Sequence, residues 1–164
     1  MTEIFHTILD NRGVLKVSGE NKFEFLQGLV SNDVTSISAD CAIYAAMLTP
    51  QGKFLFDFFM YEWKSSILIE TEGSRLAQLK KRLNMYKLRA KVDLEDVTAS
   101  WSVTAIWGSD VLTSIGLSNN PGSATAWQGG LIAVDPRIFS AGARALLPKN
   151  HAIQLPGNSV SQSE

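Results

Sequence analysis

Cysteine and histidine are scarce in this sequence, and long apolar runs are absent. The chain of 164 residues contains one cysteine, Cys41, and two histidines, His6 and His151. A single cysteine cannot form an internal disulfide. Three such residues far apart in sequence do not provide a zinc or iron–sulfur site from this chain alone. No apolar run approaches the roughly 20 residues of a membrane-spanning helix, so we expect no membrane segment.

Targeting signals and a strong net charge are also missing. Residues 1–6 show neither the basic start and long apolar run of a secretory signal nor the Arg/Ser-rich pattern of an organelle transit peptide. The formal net charge of -1 argues neither for nor against nucleic acid. The composition, 45% hydrophobic and 19% charged, is typical of globular proteins. We therefore expect a soluble cytoplasmic protein.

Apolar periodicity and turn residues divide the chain into short blocks of alternating type. Strands are predicted at 4–9, 14–17, 41–49, 54–63, 66–71, 91–94, 101–107 and 131–134. Helices are predicted after 18–21, after 73–74 and at 109–115. This order predicts an α+β fold with helices packed on a largely antiparallel sheet. We expect one folded region over 1–150, with a subdomain boundary near 92–100, and a polar tail over 151–164 that is frayed from residue 155 onward.

One carboxylate, Asp57, lies within the most apolar predicted strand. The segment from Leu48 to Phe59 reads as two strands joined by a tight turn at Pro50–Gly52, and large apolar residues flank Asp57 on both sides. An unpaired buried carboxylate is costly, so the pattern predicts a cation, several N–H donors or a ligand beside it. The alternative is a core aspartate that pairs with an arginine or with backbone N–H groups.

Two further polar groups stand at predicted turns. Asn32 and Asp33 end the first predicted helix, where they either line a cavity or serve local turn geometry, with asparagine in a left-handed conformation and aspartate capping the next turn. The sequence Asp135-Pro136-Arg137 predicts a turn with a local ion pair.

Four segments in the same order resemble one protein family. The family is that of the YgfZ-type folate-binding proteins, which are linked to the maturation and repair of iron–sulfur enzymes and are relatives of the aminomethyltransferase, or T-protein, of the glycine cleavage system. The segments are Arg12-Gly13-Val14-Leu15-Lys16-Val17-Ser18-Gly19, Phe25-Leu26-Gln27-Gly28-Leu29-Val30-Ser31-Asn32-Asp33-Val34, Ala45-Ala46-Met47-Leu48-Thr49-Pro50-Gln51-Gly52-Lys53 and Tyr86-Lys87-Leu88-Arg89-Ala90-Lys91-Val92.

The resemblance implies a tetrahydrofolate-binding fold with folate in a central cavity. It implies that Asp57 occupies the position of a carboxylate near the reactive folate nitrogens, and it makes Asn32, Tyr86 and Arg89 candidate folate contacts. In this branch it implies binding rather than turnover, as an accessory protein in iron–sulfur cluster assembly or repair. Iron–sulfur enzymes or assembly factors are the implied partners.

The chain departs from the resembled family in one respect. The family signature, a Lys-Gly-Cys-x-Gly-Gln stretch in the carboxy-terminal half, is absent, and Cys41 lies in a different segment. An inactive fragment that lacks this half is therefore one alternative. A folate-dependent aminomethyltransferase is another. Aminomethyltransferases usually carry Gly-Gly followed by an Asp-Asp pair, where this chain has Gly52-Lys53 and Phe56-Asp57, which favours the accessory role.

A basic run lies along the second predicted helix and just after it, and it has three interpretations. It could attract the acidic glutamyl tail of a folate, it could contact RNA phosphates, or it could be a solvated helix face. RNA is the less favoured partner. The run consists of Lys80, Lys81, Arg82, Lys87, Arg89 and Lys91.

Overall fold

The computed structural model describes residues 3–156 and 158–161 and divides the chain into two compact units. The central unit comprises Asn11–Ala99. The terminal unit joins the start of the chain, up to Asp10, to the part from Ser100 onward. In the described residues the strands are β1 Glu3–Ile8, β2 Arg12–Ser18, β3 Ile43–Leu48, β4 Phe54–Trp63, β5 Ser66–Glu72, β6 Asp93–Asp96, β7 Trp101–Gly108, β8 Ala124–Trp127, β9 Gly130–Val134, β10 Ala143–Pro148 and β11 Asn158–Ser161. The helices are α1 Lys22–Gln27, α2 Leu76–Lys87 and α3 Val111–Ser114, with short 3₁₀ turns between several elements.

The central unit is an antiparallel sheet covered on one face by α1 and α2. The strand order is β3-β4-β5-β2-β6. Leu76, Leu79 and Leu83 recur at helical spacing in α2 and are buried, so this stripe holds the helix on the sheet. Tyr86 does not complete the stripe, because 41% of it is exposed at the last turn of the helix.

The two faces of β4 differ in what they bury. Phe56, Phe58 and Met60 point toward the helices and belong to the core of the central unit. Asp57 alternates with them and therefore lies on the opposite face. The register of β3 against β4 shifts at one point, because Met47 pairs with Phe56 whereas Leu48 pairs with Phe54. Leu55 is thus an extra residue, a β-bulge that sets which face each later side chain of β4 occupies.

Gly13 and Asn21 each have a local role that the structure explains. Gly13 does not adopt a positive φ. Instead a Cβ at this position would lie 3.1 Å from Leu76 Cδ2 and 3.2 Å from Gly73 Cα, so the glycine permits close packing of β2 against the start of α2. Asn21 stands before α1 but makes no capping bond, and its side-chain oxygen accepts a hydrogen bond from the Lys91 N–H at 2.9 Å.

The terminal unit is built on a second sheet with the order β11-β1-β7-β10-β9-β8. Strand β11 runs parallel to β1, and the other pairs are antiparallel. Strands β8, β10 and β11 were not predicted. Residues 158–161 pair with β1 rather than fray, because the edge of β1 offers free backbone partners. Within the expected frayed end, residues 157 and 162–164 lie outside the described residues.

The predicted fold class is confirmed. Each unit is an antiparallel or mostly antiparallel sheet with few helices, which is an α+β arrangement in two sheets rather than one. Among the described residues, the longest helix, α2, has 12 residues, and no helix combines the length and apolar character needed to cross a bilayer.

The predicted ion pair of the 135–137 turn is present in the terminal unit. Arg137 Nη2 lies 2.7 Å from Asp135 Oδ2, and Arg137 Nε lies 2.9 Å from Asp135 Oδ1. Asp135 is buried. Burial by itself raises the pKa of Asp135, but the hydrogen bonds and charge of Arg137, with the charge of Arg144, outweigh it and lower the pKa.

Acid is therefore expected to destabilise the terminal unit through Asp135. A carboxyl with a lowered pKa in the folded state contributes stability that is present above its unfolded pKa of about 3.9 and is lost as the pH falls through the folded value. Thermal unfolding of the chain and of Asp135→Asn should be compared from neutral pH to about pH 3. The variant is expected to be less stable at neutral pH and to lose less stability in acid. Parallel pH curves for the two proteins would contradict this assignment.

Candidate binding site around Asp57

Asp57 is exposed, so the prediction that its side chain is buried among apolar residues is wrong. The reason is strand alternation, because its apolar neighbours Phe56 and Phe58 point to the opposite face of the sheet. Asp57 Oδ2 accepts a hydrogen bond from the hydroxyl group of Tyr44, on the neighbouring strand β3. The Tyr44 ring in turn packs on Phe59 with 5.1 Å between ring centroids. The carboxylate is therefore positioned by an aromatic neighbour rather than enclosed by a core.

The backbone beneath the carboxylate is held by two neighbouring strands. Asp57 lies opposite Ala46 of β3. On the other side, the Thr71 hydroxyl donates to the Asp57 carbonyl oxygen at 2.8 Å. The strand position of Asp57 is thus fixed while its side chain remains accessible.

Asn32 supports the same region from the edge of the sheet. Its side-chain N–H donates to the Tyr44 carbonyl oxygen at 2.9 Å, and its side-chain oxygen accepts from the Asp33 N–H at 2.8 Å. The preceding Ser31 N–H donates to the Ala46 carbonyl oxygen at 2.8 Å. This segment therefore pairs with the edge of β3 where Tyr44 and Ala46 lie. Asn32 does not take a left-handed conformation, so that part of the local interpretation is wrong.

Asp33 serves local turn geometry, as one of the two interpretations predicted. Its carboxylate accepts hydrogen bonds from both the hydroxyl and the backbone N–H of Thr35 and caps a 3₁₀ turn over Val34–Ser36. These two bonds lower the pKa of Asp33 below its usual value. The turn holds the segment that carries Asn32.

A buried ion pair lies on the same face of the sheet as Asp57. Glu70 pairs across the strands with Phe59, and its side chain is fully buried. Arg12 Nη2 lies 2.9 Å from Glu70 Oε2, and the guanidinium carbon lies 5.9 Å from the Phe59 ring centre. Phe59 therefore contacts both Tyr44 and Arg12, which links the ion pair to the aromatic support of Asp57.

Tyr86 and Arg89 lie elsewhere in the central unit. They line a groove of about 390 Å³ between α1 and the end of α2. These helices cover the face of the sheet opposite Asp57. The structure therefore brings Asn32 and Asp57 together around Tyr44, and brings Tyr86 and Arg89 together in the groove, but it separates the two pairs by the sheet and the core.

Tyr44 is the site residue that sequence reasoning missed. A signal was present, because the turn at Pro50–Gly52 predicts an antiparallel pair that brings the middle of β3 beside Asp57. The bulge at Leu55 sets the final register, and no pattern in the sequence reported it. Chemically, Tyr44 and Asp57 provide a carboxylate acceptor with an aromatic hydroxyl at its side. In the part of the chain that the structure describes, no group of three or more His, Cys, Asp or Glu side chains is placed to hold a metal ion.

One region of the chain matches a known domain family. The GCVT N-terminal domain matches residues 9–116. This range contains the whole central unit, and with it Asn32, Asp57, Tyr86 and Arg89. The resemblance noted in the sequence is therefore confirmed at the level of this domain.

Curated relatives are about one-third identical to this chain in sequence. An "iron-sulfur cluster assembly factor IBA57 homolog, mitochondrial" of Mycosarcoma maydis is 30% identical over 150 residues, which cover 84% of this chain and 34% of the relative. The "iron-sulfur cluster assembly factor IBA57, mitochondrial" of Mus musculus is 35% identical over 101 residues, which cover 53% of this chain and 28% of the relative. The chain thus spans about a third of the length of the curated relatives it matches.

These names correct the expected location. The relatives are described as mitochondrial, so the expectation of a cytoplasmic protein is wrong. Compartment is set by receptor-read targeting signals, which the composition and net charge of a folded domain do not encode.

Solved structures show the same fold at low sequence identity. The glycine cleavage system aminomethyltransferase T from Bartonella henselae superposes with a TM-score of 0.69 at 14% identity, covering 88% of this chain and 42% of that protein. A chain of the heterotetrameric sarcosine oxidase from Corynebacterium sp. U-96 superposes with a TM-score of 0.57 at 12% identity, covering 88% and 75%. The match over residues 9–116, together with this shared fold, shows that the chain belongs to the GCVT N-terminal domain family.

Proposed function

We propose that this chain is the folate-binding part of an accessory protein for iron–sulfur cluster assembly, of the kind represented by the YgfZ-type proteins and the IBA57 factors. In this proposal the chain binds a reduced folate such as tetrahydrofolate and does not turn it over. The observation that carries the proposal is the exposed Asp57 carboxylate, held by the Tyr44 hydroxyl on the face of β4 opposite the helices.

The chemistry of this carboxylate fits the pterin ring of a folate. Tyr44 occupies Oδ2, and within the described residues Oδ1 accepts no hydrogen bond. The pterin ring presents adjacent N–H donors, and a carboxylate that accepts them forms hydrogen bonds that are stronger than neutral ones. The Tyr44 ring beside the carboxylate offers an aromatic surface for the flat heterocycle. Asp57 would therefore hold the ring by its N–H groups, with Tyr44 fixing the direction of the carboxylate.

The assembly role is supported by the relatives rather than by the geometry. The chain matches the GCVT N-terminal domain, and the curated relatives at about one-third identity are named iron–sulfur cluster assembly factors. Iron–sulfur enzymes or assembly factors are accordingly the proposed partners. The accessory role is preferred to one-carbon transfer because a single aspartate, Asp57, stands between phenylalanines in β4, where aminomethyltransferases usually carry an Asp-Asp pair.

The other candidate folate contacts, Asn32, Tyr86 and Arg89, do not all lie near Asp57. Both ends of the Asn32 amide are engaged, with Tyr44 and Asp33, so we assign it as a positioning residue for β3. Tyr86 and Arg89 lie behind the sheet from Asp57, so a pterin ring at Asp57 does not reach them.

Titration calorimetry with 5-formyltetrahydrofolate, a stable reduced folate, tests the proposal. We expect the chain to bind it and Asp57→Asn to bind roughly tenfold to a hundredfold more weakly, because a hydrogen bond to a charged group contributes about 1.5–3 kcal/mol. Tyr44→Phe is expected to weaken binding less, since the carboxylate remains but loses its orienting donor.

Asp40→Asn is the matched control, because it removes one exposed carboxylate from the same unit at a distance in sequence from β4. It should leave the affinity unchanged. The absence of heat with the parent chain would contradict folate binding. Equal affinity of the parent and Asp57→Asn would remove Asp57 from the site.

A further inference from the structure

The chain leaves α2 through a tight turn with an unusual residue at its second position. The Ala90 N–H donates to the Lys87 carbonyl oxygen at 2.8 Å, which closes a turn over 87–90. Leu88 has φ +42° and ψ -111°. These angles are close to the second position of a type II′ turn, where glycine dominates because a side chain is strained there. A branched residue such as leucine is a backbone outlier at this position.

Folding of the central unit does not explain this leucine. Leu88 is 89% exposed, so its side chain gains almost nothing from burial. The residue therefore combines an unfavourable backbone with an apolar side chain in water. Backbone strain of this kind is concentrated at sites that bind ligands or partners.

Leu88 stands at the rim of the groove that contains Tyr86 and Arg89. The groove has two apolar side chains on one side, Phe25 of α1 and Leu29 just after it, and the end of α2 with its turn on the other. Tyr86 is 41% exposed there. An exposed apolar rim around an apolar groove is typical of a surface that another molecule covers.

Two positively charged side chains, Lys87 and Arg89, line this groove at the end of a basic helix, whose Arg75, Lys81 and Arg82 line a different depression. Residues 75–91 contain seven of the fifteen Lys and Arg residues and no Asp or Glu, although the whole chain has a net charge of -1. Two of the seven pair with distant acids, Lys87 with Asp93 at 3.9 Å and Lys91 with Glu20 at 3.2 Å. Within the described residues no carboxylate lies within 4.0 Å of the Arg89 guanidinium, and Glu24 is the acid that α1 contributes to the groove.

We propose that this groove is a docking site for an acidic segment of a partner protein that also carries an apolar side chain. Charge complementarity selects an anionic partner for the α2 side of the groove, with Arg89 as its charged contact. The apolar floor and the exposed Leu88 favour a protein over a nucleic acid, because an apolar protein side chain buries a leucine better than a charged phosphate backbone does. Leu88 is the apolar contact of the docking site.

This docking site is independent of the proposed folate site. Asp57 lies on the opposite face of the sheet from α1 and α2. A variant can therefore abolish one type of binding and leave the other intact, so the failure of either proposal is recognised separately.

Fluorescence anisotropy with a labelled synthetic peptide of alternating glutamate and leucine residues tests the docking site. The parent chain is expected to bind it, and Leu88→Gly is expected to bind roughly tenfold more weakly, the loss expected when a leucine contact is removed. The same variant should not lower the melting temperature, because glycine is the preferred residue at this turn position. Arg89→Glu should weaken binding by a similar factor and make it less sensitive to salt.

Matched variants in the terminal unit provide the controls. Ile138→Gly removes an apolar side chain that is 52% exposed, and Lys149→Glu makes the same charge change as Arg89→Glu on an exposed residue. Both should bind the peptide as the parent chain does. Asp57→Asn should also retain peptide binding, and Leu88→Gly should retain folate binding.

Several results would overturn the docking proposal. They are the absence of peptide binding by the parent chain, equal binding by Leu88→Gly, equal binding of a peptide with serine in place of leucine, and concentration-dependent self-association that Leu88→Gly removes. Binding of an RNA oligonucleotide in place of the peptide would also overturn it and would favour a nucleic-acid partner for the basic helix.

Discussion

Arg12→Ala is expected to lower the free energy of unfolding of the central unit by about 3–5 kcal/mol, the cost of removing one partner of a buried ion pair. Glu70 is fully buried, and 19% of the Arg12 side chain is exposed, so water does not replace the lost guanidinium well. The loss of stability is large because the Glu70 carboxylate remains buried after the guanidinium is removed. Arg12 also packs over the Phe59 ring, so part of the loss is apolar contact.

Urea unfolding followed by circular dichroism measures this loss. Native-state hydrogen exchange should place it in the strands of the central unit. Lys16→Ala is the matched control, because it removes an ion pair from the same strand, β2, where both side chains are exposed. Such a pair contributes at most about 1 kcal/mol. Adding Glu70→Gln to Arg12→Ala should recover stability, because a neutral amide then replaces the buried carboxylate. A loss no larger than that of Lys16→Ala would contradict this account of the ion pair.

Leu79→Ala is expected to destabilise the central unit by about 2–5 kcal/mol, the range measured when a buried leucine is truncated in a packed core. Leu79 has no exposed surface and lies at the centre of the stripe by which α2 packs on the sheet. Truncation leaves a cavity that the surrounding strands cannot fill, since both neighbouring turns of the helix remain anchored by Leu76 and Leu83.

Met85→Ala is the control in the same helix. Met85 is 62% exposed, so its truncation should change the free energy of unfolding by no more than about 0.5 kcal/mol. Both values come from urea unfolding under identical conditions. Similar losses for the two variants would show that α2 is not held by its apolar stripe. Leu79→Ala should also weaken peptide binding in the docking groove, because the shape of the groove depends on the position of α2 against α1.

Leu88→Gly is expected to change the stability of the domain and its binding of the partner in opposite directions. Leucine at a turn position that requires positive φ costs on the order of 1–3 kcal/mol. Replacing a residue by glycine costs up to about 1 kcal/mol through the greater freedom of the unfolded chain. The first effect is the larger, so Leu88→Gly should stabilise the domain slightly while it loses a binding contact. A substitution that raises the stability of the domain and lowers its affinity for a partner indicates a residue whose role is to bind that partner.

The sequence pattern predicted the elements with the strongest periodicity. Leu76, Leu79 and Leu83 identified α2, and the continuous apolar run from Phe54 identified β4. The pattern failed where the strands are short or pair with distant segments. Strands β8 and β11 have four residues each, and their pairing with β9 and β1 is visible only in the assembled sheet.

The candidate site shows the same division more sharply. The apolar neighbours of Asp57 in the sequence favour its burial. In a strand, adjacent residues point to opposite faces, so Phe56 and Phe58 fill the core while Asp57 remains exposed. The four candidate residues likewise could not be sorted by face from the sequence, and the structure divides them into two pairs.

The sequence by itself determined the fold class, the domain family and the residue types that could bind a charged or aromatic ligand. Only the tertiary structure decided that Tyr44 holds an exposed Asp57 on the face opposite the helices, and that Leu88 and Arg89 belong to a separate groove. The physical reason is that periodicity reports which local structure a segment prefers, whereas register, bulges and layer order depend on which strands meet. A bulge of one residue at Leu55 is enough to exchange the faces of a strand, and no local preference encodes it.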